Sequence, residues 1–453
     1  MKEFIRLIDI TTNTRQYANL NHFTFTIFPG QIHYIIGLHG NGKTALQKVL
    51  NGELAPASGI MQFQGHTVTS FAPQSAQTHG VISIQSNTSF MIPSMSVYEN
   101  IELLSPQKPR RILFERKTAI SKVSKLLQQY HLNIDPSVKV SSLSPDETFL
   151  LHLLKAAYTN AQLLILNFSS LKLSYVNYQR MLQILKQMNK NGMALLLICD
   201  SYYVAPSLAG TIHIMQHGHI AKDYESTAIT TEHLTQLLVP SATPNNNLIQ
   251  KEKITGILEL YYSNYSLPEY FGNLHSASQS ESGNSFHNNV HFISSEGLEC
   301  FCNNLSVGDN IALIHYSSVC GALGYIDDDI LRYLEKEFSK VLSTLGVSTD
   351  ITMDALSIAE KKILGIERWI MAGCKRLVIE EPLSGLDAKG QQLLLRYFAL
   401  LRDRDIRLVF IFFNISPLQN ICDITHICDH GKIIHTLQNN TQVNIEELLA
   451  DIL

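Results

Sequence analysis

The sequence has few charged residues and no long run of basic ones. Only 16% of its 453 residues are Asp, Glu, Lys or Arg, and the formal net charge is −4. Nucleic-acid-binding proteins need a basic surface along the phosphate backbone, so nucleic acid is not expected as the main partner. Hydrophobic residues make up 45% of the chain, which argues against large-scale disorder, and a length of 453 residues suffices for two or three domains with their own cores.

Long apolar stretches are also missing. The longest runs, such as RLVFIFFNI from Arg407, fall well short of the roughly 20 residues that span a bilayer. The N-terminal stretch MKEFIRLIDITTN lacks the apolar core of a signal peptide. We therefore expect a cytoplasmic protein that reaches the inner face of the cell membrane only through a partner.

Cysteine is sparse and irregularly spaced. The seven cysteines are odd in number and scattered, which fits a reducing compartment better than a disulfide framework. Cys422, His426, Cys428 and His430 form a cluster with ligand-type side chains, but their spacing matches no standard zinc pattern. We interpret the cluster as a strand and turn, because the earlier stretch TIHIMQHGHIA occupies the same place without cysteine.

The stretch IIGLHGNGKTAL, from Ile35, contains the G-x-x-x-x-G-K-[ST] pattern of a phosphate-binding loop. An apolar run before it indicates a buried strand, and TALQKVLNG after it indicates a helix. Lys43 would reach the outer phosphates of a nucleotide, and the Thr44 hydroxyl would ligate Mg²⁺. The alternative is a glycine-rich turn that contains a lysine by chance. The candidate nucleotide-binding residues are Gly37, Leu38, His39, Gly40, Asn41, Gly42, Lys43 and Thr44.

The chain contains an internal repeat. LSPDETFLLHLLKAAYTNAQLLILNFSS from Leu143 is similar to LSIAEKKILGIERWIMAGCKRLVIEEPLSG from Leu356, and the same register relates Asn167 to Glu380 (356 − 143 = 380 − 167 = 213). A second similarity, between FPGQIHYIIG from Phe28 and SVGDNIALIH from Ser306, has a register of 306 − 28 = 278. The difference between the two registers predicts that the second half has lost a block after its own phosphate-loop position.

Apolar runs alternate with longer helical stretches, which predicts α/β domains with largely parallel sheets and ligands at the carboxyl ends of the strands. We predict a first domain at residues 1–238, a Pro/Asn-rich linker at 239–250, and a second domain at 251–453 that is truncated and degenerate.

These motifs resemble those of the ATP-binding cassette (ABC) ATPases, and within them the tandem-cassette subunits of carbohydrate importers. The first half carries the resemblance through GLHGNGKTA, ASGIMQFQG, HGVISIQSNTSFMIPSMSVYENI, LNIDPSVKVSSLS and AQLLILNFSS. The second half matches well only from about Leu356 to Ile434. The resemblance implies two P-loop NTPase-type domains in tandem, with ATP and Mg²⁺ as ligands.

In this family two cassettes pair, and each nucleotide lies between one phosphate loop and the signature loop of the other cassette. For the first such site the resemblance adds Gln85 as a ligand of Mg²⁺ and Ser357 as the opposing signature serine. Where the family has Asp-Glu, this chain has Asn167 and Phe168. Asn167 is a weak Mg²⁺ ligand and Phe168 cannot act as a base, so we expect binding with poor hydrolysis.

For the second site the resemblance places the acidic pair at Glu380 and Glu381, as metal ligand and general base. The second of the two registers puts its phosphate loop at residues 315–323, which include no lysine and one glycine. Asp146 and Glu147, in the opposing signature LSPDE, would meet a phosphate with negative charge. We expect little or no nucleotide there, so a catalytic role for Glu381 is in doubt.

The resemblance implies a transport subunit that docks on membrane permease subunits and works indirectly with a solute-binding protein. The halves are expected to pair within the chain, with a homodimer as the alternative arrangement. A second hypothesis is a non-catalytic, nucleotide-binding regulator descended from such a subunit. A third, a cassette protein that acts on ribosomes, is disfavoured because no long charged linker joins the halves.

Overall fold

The structure is a computed structural model. It describes residues 3–15, 17–68, 72–84, 91–102, 115–159, 161–168, 173–199, 208–229, 231–238, 254–260, 290–294, 301–314, 332, 336, 341–342, 345, 347–371, 373–402, 404, 406–414, 417–429 and 432–438. The described residues divide into two compact units, the first up to residue 238 and the second from residue 254. The predicted linker at 239–250 lies outside them, so the exact domain limits stay a prediction.

The first unit contains two sheets. Its strands are β1 (Ile5–Thr11), β2 (Phe23–Ile27), β3 (Ile32–Ile36), β4 (Ser58–Phe63), β5 (His66–Thr67), β6 (Val81–Ile84), β7 (Leu163–Asn167), β8 (Ala194–Cys199), β9 (Thr211–Gln216) and β10 (His219–Glu225). An antiparallel sheet has the order β2-β1-β4-β5, and a mixed sheet has the order β10-β9-β3-β8-β7-β6. Strands β3, β8, β7 and β6 are parallel.

Helices of the first unit pack around these sheets. They are α1 (Lys43–Leu50), α2 (Pro73–Thr78), α3 (Val97–Glu102), α4 (Arg116–Gln129), α5 (Pro145–Tyr158), α6 (Tyr175–Lys190) and α7 (Thr231–Leu238). Every residue of β8 is buried, as expected for a parallel strand covered on both faces. The predicted α/β class is confirmed.

The second unit contains a sheet of the order β12-β13-β14-β11-β15-β16. Its described strands are β11 (Ile254–Glu259), β12 (Val290–Ile293), β13 (Arg376–Glu380), β14 (Arg407–Phe412), β15 (Ile424–Asp429) and β16 (Lys432–Gln438). Its described helices of eight residues or more are α8 (Val307–Ile314), α9 (Ile358–Met371) and α10 (Ala388–Leu401).

The two mixed sheets have the same connectivity, and the register that relates Asn167 to Glu380 holds throughout their later parts. Strands β13, β14, β15 and β16 begin where this register places the starts of β7, β8, β9 and β10, and helix α9 begins where it places the start of α5. The N-terminal serines of α5 and α9, Ser144 and Ser357, each accept a hydrogen bond from the glutamate three residues later. The structural repeat therefore agrees with the sequence repeat.

The register that relates Phe28 to Ser306 is wrong. The stretch from Ser306 forms helix α8, whereas its supposed counterpart contains strand β3. The counterpart of β3 is instead β11, because β11 pairs in parallel with β14 and β15 as β3 pairs with β8 and β9. Helix α8 corresponds to α3: Asn100 and Asn310 make the same bonds to the loop before their helices. The Phe28–Ser306 register predicted that the second unit lost a block after a phosphate loop at residues 315–323. Because that register is wrong, this loss does not explain the difference between the two units.

The second unit is shorter elsewhere. In the first unit the chain runs from Ile32 at the start of β3 to Val81 at the start of β6. In the second unit the corresponding segment, from Ile254 to Val290, is shorter. Among the residues that the structure describes, no strands of the second unit form a counterpart of the antiparallel β2-β1-β4-β5 sheet. Residues 315–323 lie outside the described part, but they follow the counterpart of α3 and so do not hold the phosphate-loop position.

Candidate functional site

The predicted phosphate loop connects β3 to α1. Gly42 is the residue before the helix and has a φ of +93°, a left-handed conformation that favours glycine. A Cβ atom at Gly37 would lie 2.5 Å from the carbonyl oxygen of Met215, so only glycine fits there without a shift of the backbone. A Cβ at Gly40 would meet no atom within 4 Å, which leaves open space beside the loop. The glycine spacing thus fits both the tight backbone and room for a ligand.

The hairpin formed by β9 and β10 makes hydrogen bonds to this loop. The turn between β9 and β10 consists of His217 and Gly218, with φ angles of +48° and +82°. Gly218 N–H donates to the Asn41 carbonyl, and His217 N–H donates to the Asn41 side-chain oxygen, both at 3.2 Å. The Asn21 amide donates to the His217 carbonyl at 2.7 Å. Sequence reasoning missed this anchor, although a histidine–glycine pair between two apolar runs is a hairpin signal.

The Lys43 side chain lies inside the loop rather than in solvent. The residue is only 7% exposed, and its ammonium donates to the carbonyl oxygens of Gly37 and Leu38, the latter at 2.8 Å. A fixed cation within a ring of backbone groups at the start of a helix suits a polyphosphate anion. A phosphate oxygen would offer Lys43 a charged acceptor in place of these neutral carbonyls.

The remaining loop residues leave room for the nucleotide. Thr44 is exposed at the start of α1, with its hydroxyl available for Mg²⁺, and His39 is also exposed. These residues fit ATP and a hard cation, whose chemistry would be charge neutralisation of the phosphates. Gln85, the predicted further Mg²⁺ ligand, lies outside the described residues.

Asn167 lies at the end of β7, facing α1. Its side-chain nitrogen is 3.5 Å from the Gln47 side-chain oxygen, and Gln47 donates in turn to the Ser83 hydroxyl at 2.9 Å. Gln47 is one helical turn beyond Lys43, so this amide chain borders the loop. Sequence reasoning did not single out Gln47 or Ser83. Phe168, next to Asn167, is 6% exposed and offers no proton acceptor.

The phosphate-loop position of the second unit begins with a carboxylate. In β11 Leu258 pairs with Ile427 and Glu259 with Cys428, which makes Glu259 the counterpart of Gly37. Glu259 is fully buried. Burial, together with the nearby Glu259 charge, raises the pKa of the Cys428 thiol to about 12. The real counterpart of the first loop thus differs from the stretch that the sequence analysis assigned.

The acidic pair of the second unit ends β13. Glu381 has a φ of +45°, and its carboxylate accepts a hydrogen bond from the Phe413 backbone N–H at 2.7 Å. Its backbone N–H donates to the Ile411 carbonyl, as Phe168 N–H does to the Ile198 carbonyl. Glu380 and Glu381 therefore occupy the positions of Asn167 and Phe168, as the sequence repeat predicts.

The signature residues make hydrogen bonds within their own units. Glu147 closes a capping box with Ser144, and the Ser357 hydroxyl donates to Glu360 at 2.7 Å. Asp146 is 1% exposed and accepts from the Ser174 hydroxyl at 2.6 Å. The expectation that Asp146 confronts a phosphate is therefore wrong, because its carboxylate points into the unit to bind the start of α6.

Two negative findings concern the described residues only. Among them, no group of three His, Cys, Asp or Glu side chains is arranged to hold a metal ion; His430 of the cysteine and histidine cluster is outside this set. Within the same part of the chain, no helix has the length and apolarity needed to cross a membrane.

Comparison with known proteins matches residues 20–167 to the family described as ABC transporter. A ribose import ATP-binding protein of Lacticaseibacillus paracasei is 21% identical over 96% of this chain and 95% of its own length. A nucleoside import ATP-binding protein of Lactococcus lactis subsp. cremoris is also 21% identical, over 95% of this chain and 94% of its own. A solved ATP-binding cassette of an ABC transporter in its ADP conformation covers 53% of this chain at 19% identity, with a TM-score of 0.44.

The matched segment starts before β2 and ends at Asn167, so it includes the whole phosphate loop and the last residue of β7. The chain therefore carries an ATP-binding cassette domain of the ABC transporter family, and it is similar over nearly its full length to import proteins of two-cassette length.

Proposed function

We propose that this chain is the ATP-binding subunit of an ABC-type importer and that it couples nucleotide binding to the movement of membrane permease subunits. The proposed solute is a sugar or a sugar-containing molecule, because the relatives include proteins named for ribose and for nucleoside import. A solute-binding protein is the expected indirect partner. The proposed location is the inner face of the membrane, through the permease.

The observation that carries this proposal is the loop from Gly37 to Thr44 with its buried Lys43. The loop combines glycine at the two tight backbone positions, open space beside Gly40 and a cation already directed inward. These features are what a polyphosphate requires, and they lie inside the segment that matches the family. ATP with Mg²⁺ is the proposed ligand, with Thr44, Gln85 and Asn167 as the proposed metal-side residues.

Hydrolysis is proposed to be weak at this loop. Asn167 supplies an amide where a carboxylate would bind Mg²⁺ more strongly, and its side chain already contacts Gln47. Phe168 can neither accept a proton nor orient a water molecule. A general base is worth roughly 10²–10⁴-fold in rate, so its loss alone would leave a slow ATPase.

The second unit is proposed to bind no nucleotide. A buried carboxylate at Glu259 opposes a polyphosphate at the entry of the corresponding loop, and the residue cannot copy the close backbone approach at Gly37. Glu380 and Glu381 would then have no substrate beside them within that unit.

The alternative is a nucleotide-binding regulator that no longer drives transport, and the pair Asn167–Phe168 is the observation that favours it. Uptake of radiolabelled ribose and nucleosides by cells that lack the gene separates the two. Restoration of uptake of one of these solutes by the wild-type gene, but not by Lys43→Ala expressed at an equal level, supports the importer. Normal uptake without the gene would contradict it.

A further inference from the structure

Helix α4 of the first unit has an exposed face without any carboxylate. Its sequence RKTAISKVSKLLQQ contains four basic residues and no Asp or Glu. Ala119, Val123 and Leu127 are buried, so they define the inner face of the helix. The exposed positions are all basic or neutral and polar, namely Arg116, Lys117, Ser121, Lys122, Lys125, Gln128 and Gln129. The helix therefore presents a positive surface to solvent.

Carboxylates beside this helix neutralise only part of its charge. The Lys122 ammonium lies 4.0 Å from the carboxylate of Glu102, which is buried and also accepts a hydrogen bond from the Tyr158 hydroxyl. Among the described residues, no carboxylate oxygen lies within 4.0 Å of the Lys117 or Lys125 ammonium. These two cations are therefore able to meet an external anion without first breaking an ion pair to a described residue.

Helix α6 extends the positive surface. Its sequence YVNYQRMLQILKQMNK also contains no Asp or Glu, and Arg180, Lys186 and Lys190 are exposed. The Gln187 side-chain amide donates to the Gln129 carbonyl at 3.3 Å, so α6 adjoins the C-terminal end of α4. The two helices thus supply positive charge to one region of the first unit.

The charge of the whole chain is unevenly distributed. From the start of α4 to the end of α6, residues 116–190 contain ten Lys or Arg and three Asp or Glu, a formal charge of +7. The net charge of the chain is −4, so all other residues together carry −4 − 7 = −11. Of the three acids, Asp146 is buried and Glu147 closes the capping box with Ser144. A negatively charged surface therefore attracts this part of the chain and repels the rest.

The second unit does not repeat this charge. The carbonyls of Leu127 and Leu342 each accept a hydrogen bond from the N–H five residues later, at 2.9 and 2.8 Å, so residues 331–344 correspond to α4. This segment, LRYLEKEFSKVLST, contains three basic residues and two glutamates. From residue 331 to the end of α10 there are ten Lys or Arg and nine Asp or Glu, a formal charge of +1. Both units have the same number of basic residues here, so the scarcity of carboxylates is what makes the first unit positive.

We propose that the exposed face of α4, through Lys117 and Lys125, binds directly to the anionic lipids of a membrane surface. The contact adds to any contact with permease subunits, and it determines which side of the chain faces the membrane. It goes beyond the proposed importer function and does not depend on it, because it needs lipid alone.

An anionic lipid surface is the partner that the composition of this face favours. Three of the four cations of α4 are lysines, whose flexible point charges suit mobile lipid headgroups, whereas recognition of nucleic acid favours the planar fork of arginine. The exposed positions of α4 include no aromatic side chain on which a base could stack. Each basic side chain close to an anionic membrane raises the affinity roughly fivefold, so several of them together give measurable binding.

Co-sedimentation of the full chain with lipid vesicles tests the contact. The wild type should bind vesicles of phosphatidylcholine with an equal amount of phosphatidylglycerol, and it should not bind vesicles of phosphatidylcholine alone. Lys117→Glu with Lys125→Glu should lower the affinity at least about tenfold. Lys117→Gln with Lys125→Gln should lower it less, because no negative charge is added. Binding should also weaken when NaCl is raised from about 0.1 M to about 1 M, since the screening length falls from about 10 Å to about 3 Å.

The second unit offers a matched control. Arg332→Glu with Lys336→Glu changes the net charge of the chain by the same amount, at exposed positions in the counterpart of α4. This variant should bind the anionic vesicles as the wild type does. Urea unfolding checks that each variant is folded, and the glutamine pair covers the case in which the glutamate pair is not.

Three outcomes would overturn the proposal. Equal binding of the wild type to both kinds of vesicle would exclude a role for anionic lipid, and equal losses in the α4 variant and the second-unit variant would assign binding to net charge alone. Release of the chain from the anionic vesicles by a mixed-sequence DNA duplex or RNA, at the same phosphate concentration, would identify nucleic acid as the partner. All three leave the importer function standing. That function fails instead if uptake of ribose and nucleosides is normal without the gene, whatever the vesicles show.

Discussion

At the scale of single residues, Lys43 is the side chain on which nucleotide binding should depend most. Its ammonium is enclosed by the carbonyls of the loop, so the cation is already in place before a phosphate arrives. Little side-chain ordering then remains to be done on binding, and the charge is poorly screened because the residue is 7% exposed. A single side chain should therefore decide whether this loop holds a nucleotide.

Replacement of Lys43 by Ala should lower the affinity for ATP with Mg²⁺ by at least tenfold, about 1.4 kcal/mol, because the one fixed cation of the loop is lost. Isothermal titration calorimetry measures this. Lys48→Ala is the matched control, since Lys48 belongs to the same helix but lies over the Tyr17 ring instead of in the loop. Equal losses in both variants would contradict the assignment.

The pair Asn167–Phe168 offers a repair at the same scale. The double variant Asn167→Asp with Phe168→Glu supplies a carboxylate for Mg²⁺ and a proton acceptor at the end of β7, as Glu380 and Glu381 do at the end of β13. Mg²⁺-dependent ATP affinity should rise and hydrolysis should increase. The gain in affinity should vanish when EDTA removes Mg²⁺; no gain with Mg²⁺ present would mean that these residues do not border the nucleotide.

At the scale of elements, two buried histidines, each bonded to an exposed polar side chain, join β3 to the hairpin that holds the phosphate loop. His33 Nδ1 lies 2.9 Å from His213 Nε2, and His213 Nδ1 lies 2.7 Å from the Asp223 carboxylate. The other nitrogen of His33 is 3.0 Å from the Gln31 side-chain oxygen, and the Phe25 ring packs edge-on against both imidazoles. Both histidines are 5% exposed, so their protonation is coupled to folding.

The buried pair of His33 and His213 predicts that the folded protein loses stability in mild acid. Burial, and next the charge of His213, lower the pKa of His33 to about 4 from an unfolded value near 6.5. The folded state then binds fewer protons, so its stability is complete above pH 6.5 and falls towards pH 4, by about 2–3 kcal/mol for this group. Urea unfolding at pH 7 and 4.5 measures the fall. His33→Gln should show a smaller fall; an unchanged pH dependence would contradict the assignment.

A buried carboxylate accepts hydrogen bonds at the start of α6 and at the start of α10. In the first unit it belongs to the neighbouring helix, and in the second unit it belongs to the residue just before α10. In the first unit Asp146 of α5 accepts from Ser174 and Asn177. In the second unit the counterpart of Asp146 is Ala359, and Asp387, the counterpart of Ser174, caps α10 through the Gly390 N–H at 2.8 Å. The two units thus place the carboxylate at different sequence positions, in α5 in one and before α10 in the other, but at the same location in the fold.

The two arrangements of the carboxylate predict that the stability lost in Asp146→Ala can be restored. Asp146→Ala should destabilise the protein by about 2–4 kcal/mol, because the Ser174 and Asn177 donors lose a buried charged acceptor. Adding Ser174→Asp and Asn177→Gly, which copies the second unit, should recover most of the loss in urea unfolding. A triple variant no more stable than Asp146→Ala would show that the two arrangements are not interchangeable.

At the scale of the whole molecule, short local patterns predicted the α/β class and the strand, loop and helix around Gly37 to Thr44, and comparison of two distant stretches predicted the repeat. The wrong prediction was that SVGDNIALIH is the counterpart of the stretch that contains β3. An apolar run of this length fits a strand or a helix equally well. The pairing of β11 with β14 and β15, which links residues far apart in the sequence, identified the true counterpart of β3. For the same reason Glu259 and Gln47 could not be recognised as site residues from local patterns.

The corrected register leads to a prediction for the whole chain, which is that it binds one ATP. The only described loop with the required glycines and inward cation is the one from Gly37 to Thr44, whereas its counterpart begins with the buried carboxylate of Glu259. Calorimetry should give a stoichiometry near one that Glu259→Gln leaves unchanged, because removal of the charge does not restore a glycine. The ATPase activity, which we expect to be slow, should likewise be indifferent to Glu381→Gln, since the Glu381 carboxylate faces the Phe413 backbone of a unit that is proposed to bind no nucleotide. Two equivalent sites, or rapid hydrolysis that Glu381→Gln eliminates, would mean that the second unit is a working nucleotide site despite Glu259.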